Sequence, residues 1–308
     1  MRRPEAVADL DTRFAISGIA KVVSGNGGLS KVLVTGTDAD GEMYLHEGQV
    51  TSWAAKGTGE ILYLSPNSPW KDGHAIRGGV PVSFPWFAER ADGGGAPPHG
   101  LVRTKAWQLQ CVDANDMSVT VSMLTESDDD TRQWWPYDYR LVCRATFGAQ
   151  LKVELIVTNI GTSSFLFEEA LHAYFAVGDA ETAYVRGLDG TQFIDKTDRH
   201  ITKKQVDDVR IASETDSVYL NNATDLELLD PTLNRRLTMQ KQNSLTTVVW
   251  NPGAVKSRIL GDLGAGRWKH FLCIEPSNVG PYSVQLGSGQ CHTSSMVLQA
   301  AHISPLSR

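Results

Sequence analysis

Two short segments of this chain set a proton-transfer side chain inside an apolar, strand-like stretch: Leu171-His172-Ala173-Tyr174-Phe175 and Cys273-Ile274-Glu275-Pro276-Ser277-Asn278. A polar group buried there without a partner costs about 1–3 kcal/mol, so each must be satisfied by neighbours or put to use. An imidazole and a carboxylate together form an acid–base couple. Taken singly, a histidine in an apolar run is more often a hydrogen-bonded core residue than a catalyst. A glutamate is seldom buried without a partner.

Two further stretches carry arginines on backbone shaped by glycine and proline. In Ala75-Ile76-Arg77-Gly78-Gly79-Val80-Pro81-Val82-Ser83-Phe84-Pro85-Trp86-Phe87, Arg77 stands just before two glycines. Pro97-Pro98-His99-Gly100-Leu101-Val102-Arg103 repeats the theme with a histidine and a second arginine. Guanidinium groups held on rigid loops suit a phosphate or carboxylate, which they bind bidentately. The plainer reading is loop arginines bonding nearby carbonyls. Trp86 and Phe87 offer flat aromatic faces to a ligand or fill the core.

Other candidates carry less. Asp216, in Glu214-Thr215-Asp216-Ser217, reads by itself as an ordinary loop acid, and Asp128-Asp129-Asp130 as a solvated loop. Gly93-Gly94-Gly95 lacks the lysine and helix of a phosphate cradle. The histidines form no HxH or HExxH arrangement and the four cysteines no CxxC, so no metal site is expected. No Ser–His–Asp or Cys–His constellation stands out.

The elements that must position these residues read as strands. Leu141, Cys143, Ala145 and Phe147 alternate with polar residues, as do Leu151, Val153, Leu155 and Val157 after Gly148-Ala149-Gln150. Two period-2 runs joined by a short glycine-bearing link make a hairpin. Similar runs occur at 31–35, 118–124, 165–175, 245–250, 268–274 and 294–300, with a turn of helix expected near 255–260. Many short strands with turn punctuation predict an all-β fold, one large antiparallel β-sandwich. No linker or repeat divides the chain, so a single domain over 1–308 is expected, with residues 1–12 as a polar N-terminal extension. The loops 66–79 and 88–99 are long enough to be functional.

Composition bounds the partners. The chain has 308 residues, 41% apolar and 21% charged, the balance of a soluble globular protein. A net charge of −6 argues against a nucleic-acid partner. No signal peptide or membrane-spanning run is recognisable, and widely spaced cysteines without a signal point to reduced thiols in a cytoplasm.

In order along the chain, IRGGVPVSFPWF, HGLVR followed by Trp107, EEALHAYFAVGD, GLDGTQFIDK, VVWNPG and CIEPSNV resemble the hexose-6-phosphate mutarotases. These glucose-6-phosphate 1-epimerases are a branch of the aldose 1-epimerase, or galactose mutarotase-like, superfamily. The resemblance spans roughly residues 25–300. It implies a supersandwich of antiparallel sheets, an open cleft, no cofactor, and interconversion of the α and β anomers of a hexose 6-phosphate. By position it implies that His172 and Glu275 are catalytic and that Arg77, His99, Arg103 and Asp216 bind substrate. Glu275 as carboxylate would take the anomeric proton while His172 as imidazolium protonates the ring oxygen. Relatives often carry Gln before the HG pair where this chain has Pro98, which bears on substrate choice. An epimerase of unphosphorylated aldoses and a non-catalytic sugar-phosphate binder are the alternatives. A monomer is expected.

Overall fold

The computed structural model describes residues 5–90 and 92–303. Period-2 alternation becomes burial as expected. In the strand Tyr139–Phe147 every odd position is buried, and in Gln150–Asn159 Leu151, Val153, Leu155 and Val157 are fully enclosed. Each such side chain removed from water contributes about 1.5–3 kcal/mol. The two strands pair with Phe147 opposite Leu151, so the link is shorter than anticipated: Gln150 already belongs to the second strand.

A nine-stranded antiparallel sheet grows from this hairpin, and the long strand Cys291–His302 lies beside Gln150–Asn159. An eight-stranded sheet has Thr215–Leu220, Thr246–Asn251 and Phe271–Asn278 as its centre. Its residues Leu171, Phe175, Tyr219, Val249, Leu272 and Ile274 share one apolar core with Leu141, Val153 and Leu298 of the larger sheet. The architecture is therefore the expected large antiparallel sandwich, extended by a four-stranded sheet over residues 20–55.

Three local expectations need correction. Residues 1–4 lie outside the described residues, but Val7–Phe14 is a helix rather than part of a polar extension. Its apolar residues Val7, Leu10 and Phe14 fall on one face and pack on the core, with Leu10 buried. Residues 165–175 form not one run but the strands Phe165–Phe167 and Glu169–Leu171, with Tyr174–Ala176 following. Trp268 sits in a 3-10 turn, Arg267–His270, and the strand after it extends through Pro276 to Asn278.

That proline is tolerated at the centre of a sheet for a specific reason. The Leu171 carbonyl, in register with Pro276, accepts from the Ala173 N–H at 2.8 Å and does not need the N–H that proline lacks. The helix anticipated near 255–260 is a single turn, Gly253–Lys256.

Candidate active site

The sheet's register brings the candidate acid and base together. Ala170 pairs with Ser277 and Tyr174 pairs with Cys273, so the ladder keeps its count across the break at His172-Ala173. His172 therefore stands directly opposite Glu275, and their side chains leave the face turned away from the main core. On its other edge the broken segment is held by backbone bonds from His172 N to the Pro81 carbonyl and from Tyr174 N to the Gly79 carbonyl, both 2.9 Å. The glycine- and proline-rich stretch is thus the third wall of the site. Gly78 is required there: at φ +120°, a Cβ would meet the Tyr63 carbonyl oxygen at 2.3 Å.

His172 Nδ1 lies 3.3 Å from Glu275 Oε1, with the residues 5% and 1% exposed. The approach is not aligned as a hydrogen bond: His172 Nδ1 and both Glu275 oxygens are buried without a hydrogen-bond partner. Burial lowers the His172 pKa well below its ordinary value, helped by the charges of Arg103 and Arg77 and by His99. Burial likewise raises Glu275 well above the usual carboxylate range, with Asp216 adding to the shift. Both directions favour a neutral imidazole beside a carboxylic acid. Desolvation thus works against the two charged forms, imidazolium and carboxylate, that the sequence reading assigned to this pair.

The other expected residues gather around this pair. The His172 ring stacks on Tyr174, centroids 4.9 Å apart, and meets His99 edge-on at 5.3 Å. His99 Nδ1 lies 3.4 Å from the Ala88 N–H and accepts from it, which leaves the proton of the neutral ring on Nε2. Burial, then Arg103, Lys196 and Arg77, keep His99 neutral. Arg77 Nη1 donates to the Tyr174 hydroxyl at 3.0 Å, and its Nε donates to Asp262 at 2.9 Å. Arg103 is 7% exposed and its Nε is buried without a partner. Asp216, on a neighbouring strand, is 3.2 Å from Lys196 Nζ. Phe87 packs with Val218, Val248 and Trp250 on this face and meets His99 edge-on. Trp86 instead fills a small cluster with Ala96 and Leu101.

Sequence reasoning missed three charged residues. Lys196 ends the GLDGTQFIDK motif, and its distance to Asp216 gives it a place in the site. Asp262, which anchors Arg77, sits in a loop without a pattern that would mark it. Glu47 is completely buried and pushed up to about 8 by desolvation, against the opposing pull of Arg103. Its Oε1 accepts from Ile76 N at 2.9 Å and its own N–H donates to the Lys105 carbonyl at 2.7 Å. Glu47 thereby ties the loop of Arg77 to the loop of Arg103. The register also sets Cys273 beside the pair, so that a ligand atom from each of His172, Cys273 and Glu275 lies within 4.8 Å of the others.

Comparison with known proteins bears on the fold and the family. The aldose 1-epimerase family model matches residues 35–299. A Salmonella typhimurium protein provisionally named glucose-6-phosphate 1-epimerase is 35% identical over 248 residues, 80% of this chain and 82% of its own. An Escherichia coli protein of the same provisional name is 35% identical over 250 residues, with 80% and 82% covered. A crystal structure of a provisionally named mutarotase from Salmonella typhimurium superposes with a TM-score of 0.87 at 30% identity, covering 94% of this chain and 96% of that one. A galactose mutarotase related enzyme from Lactobacillus acidophilus, 12% identical with a TM-score of 0.71, shares the fold over 89% of this chain and 98% of its own. The antiparallel sandwich is the fold of these structural neighbours, and this chain is an isomerase belonging to the aldose 1-epimerase family.

Proposed function

We propose that this enzyme interconverts the α and β anomers of a hexose 6-phosphate, with glucose 6-phosphate as the first substrate to test. The observation that carries this reading is the His172–Glu275 pair, 3.3 Å apart, beside the buried and unpartnered Nε of Arg103. Two provisionally named glucose-6-phosphate 1-epimerases at 35% identity support the same substrate class.

In this mechanism the substrate completes the charge pattern. A phosphate set against Arg103 and Arg77 cancels part of the field that lowers His172, and sugar hydroxyls turned to Glu275 stabilise its carboxylate. The proton then moves from Glu275 to His172. Glu275 takes the proton of the C1 hydroxyl while His172 gives its proton to the ring oxygen. The C1–O5 bond breaks, leaving a C1 aldehyde and a C5 hydroxyl. Rotation about C1–C2 and the reverse steps close the other anomer, returning each proton. His99 and Asp216 hold hydroxyls of the sugar. NMR exchange spectroscopy or polarimetry on glucose 6-phosphate should show acceleration over buffer; an unchanged rate would sink the proposal.

The pH profile of kcat/KM reports the free enzyme. Gaining a second proton means charging His172, which burial pushes below 6.5, so the acid limb lies below the ordinary imidazole value. Losing the shared proton means ionising Glu275, which burial holds well above 4.5, so the alkaline limb lies above the ordinary carboxylate value. Corrected for the phosphate's own ionisation near about 6, activity should be flat between these limbs. An acid limb at or above 6.5, or an alkaline limb at or below 4.5, would contradict the directions that burial gives this pair.

Arg103 and Arg77 should behave differently. Arg103→Ala removes a charged donor worth about 1.5–3 kcal/mol and should raise KM for glucose 6-phosphate by roughly 10–100-fold. KM for free glucose should barely change. Arg77 already serves Asp262 and Tyr174, on which His172 stacks, so Arg77→Ala should lower kcat as well. Equal effects of Arg103→Ala on both sugars would favour an epimerase of unphosphorylated aldoses.

We also assign the enzyme to the cytoplasm. Its four cysteines, Cys111, Cys143, Cys273 and Cys291, are free thiols, which suits a reducing compartment. Among the described residues no helix is long and apolar enough to cross a membrane.

A further inference from the structure

We propose that His172, Cys273 and Glu275 form a binding site for a thiophilic divalent cation, zinc or cadmium, whose entry shuts the sugar site. Cys273 and Glu275 are two residues apart on one strand and so share a face, and His172 stands opposite them in the break between the two short strands that pair with it. One ligand atom from each lies within 4.8 Å of the others. A tetrahedral zinc with bonds of 2.0–2.3 Å sets its ligands roughly 3.5 Å apart, so small side-chain rotations close the distance. Independently of this spacing, His172 Nδ1 and both Glu275 oxygens are buried with no hydrogen-bond partner, and a cation would satisfy them. Imidazole, thiolate and carboxylate are the ligand types of zinc, and three of them leave a fourth position for water.

The surrounding charge selects among metals. Arg77, Arg103 and Lys196 all act on this pocket and repel cations. Magnesium and calcium, held by charge and oxygen ligands alone, are excluded. A metal that bonds strongly to sulfur overcomes the repulsion. Zinc binds cysteine as the thiolate, so the Cys273 thiol proton leaves to solvent as the metal enters. The site is inhibitory because the metal occupies the atoms that must carry the reacting proton.

Inhibition rests on the proposed epimerase reading, but binding does not, so the test has a readout free of activity. In a Cys111→Ser/Cys291→Ser background, which removes the accessible thiols, cobalt(II) should give a near-ultraviolet sulfur-to-metal charge-transfer band that zinc abolishes. Adding Cys273→Ala, or Cys273→Ser should the first fold poorly, should remove the band and weaken zinc inhibition at least tenfold while turnover stays near normal. In chelator-buffered assays zinc should compete with sugar phosphate, and magnesium at millimolar concentration should do nothing. A band that persists without Cys273, its absence from the parent, or equal zinc inhibition of both would overturn the proposal. Loss of catalysis on every sugar with the band intact would instead fault the epimerase reading alone.

Discussion

Glu275→Gln is expected to lower kcat by 10²–10⁴-fold, the usual contribution of one positioned proton transfer, without unfolding the protein. Gln keeps the shape of the carboxylic acid that burial already favours at this position, yet it cannot accept the anomeric proton. Stability follows from linkage. A carboxyl whose folded pKa is raised favours the fold in its acid form, and that benefit is lost as pH rises through the folded pKa. Glu275→Gln should therefore match the parent in acid and gain on it as pH rises, a trade of stability for activity. His172→Asn should lose activity to a similar degree, because one member of a pair sharing a proton cannot work alone. Thermal melts at two pH values and NMR exchange rates check both variants. Near-normal turnover in either would remove that residue from the mechanism, and collapse of Glu275→Gln at neutral pH would show that the ionised form supports the fold.

Gly100→Ala should be strongly destabilising. Gly100 has φ +90° and forms a parallel bridge to Phe84, and a Cβ there would lie 1.9 Å from the Phe84 carbonyl oxygen. That oxygen also accepts the Leu101 N–H at 2.8 Å, so it cannot retreat without losing a buried bond. Left-handed strain of about 1–3 kcal/mol and the displaced ladder together should cost on the order of 3–5 kcal/mol. Melting should fall by roughly 5–15 °C. Because His99 precedes this glycine and Arg103 follows it, the surviving folded fraction should also show a raised KM. Gly18→Ala is the control: φ is +73°, but nothing lies within 4 Å of the added carbon. If the two variants melt alike, backbone conformation alone explains the loss and the close approach to Phe84 does not matter.

Much of the scaffold was legible because its signal is local. Alternation at 141–147 and 151–157 requires only that one face be dry, and the structure buries those odd-numbered positions. The strand through Pro276 was not legible, because what excuses its missing N–H is a bond between Leu171 and Ala173 far away in sequence. The helix Val7–Phe14 was hidden by its charged face, although Val7, Leu10 and Phe14 carry a helical spacing.

For the site, residue types and motif order along the chain by themselves determined the family resemblance, the candidate acid and base, and the two arginine loops. Only the tertiary structure decided that His172 faces Glu275, that Asp262 holds Arg77, that Glu47 ties the arginine loops together, and that burial works against charge on both members of the pair. Register and pairing join segments far apart in the chain, from 29 residues for Glu47 and Ile76 to 185 for Arg77 and Asp262, and a pKa sums burial and field over all of them. Neither quantity exists in a chain until it is packed.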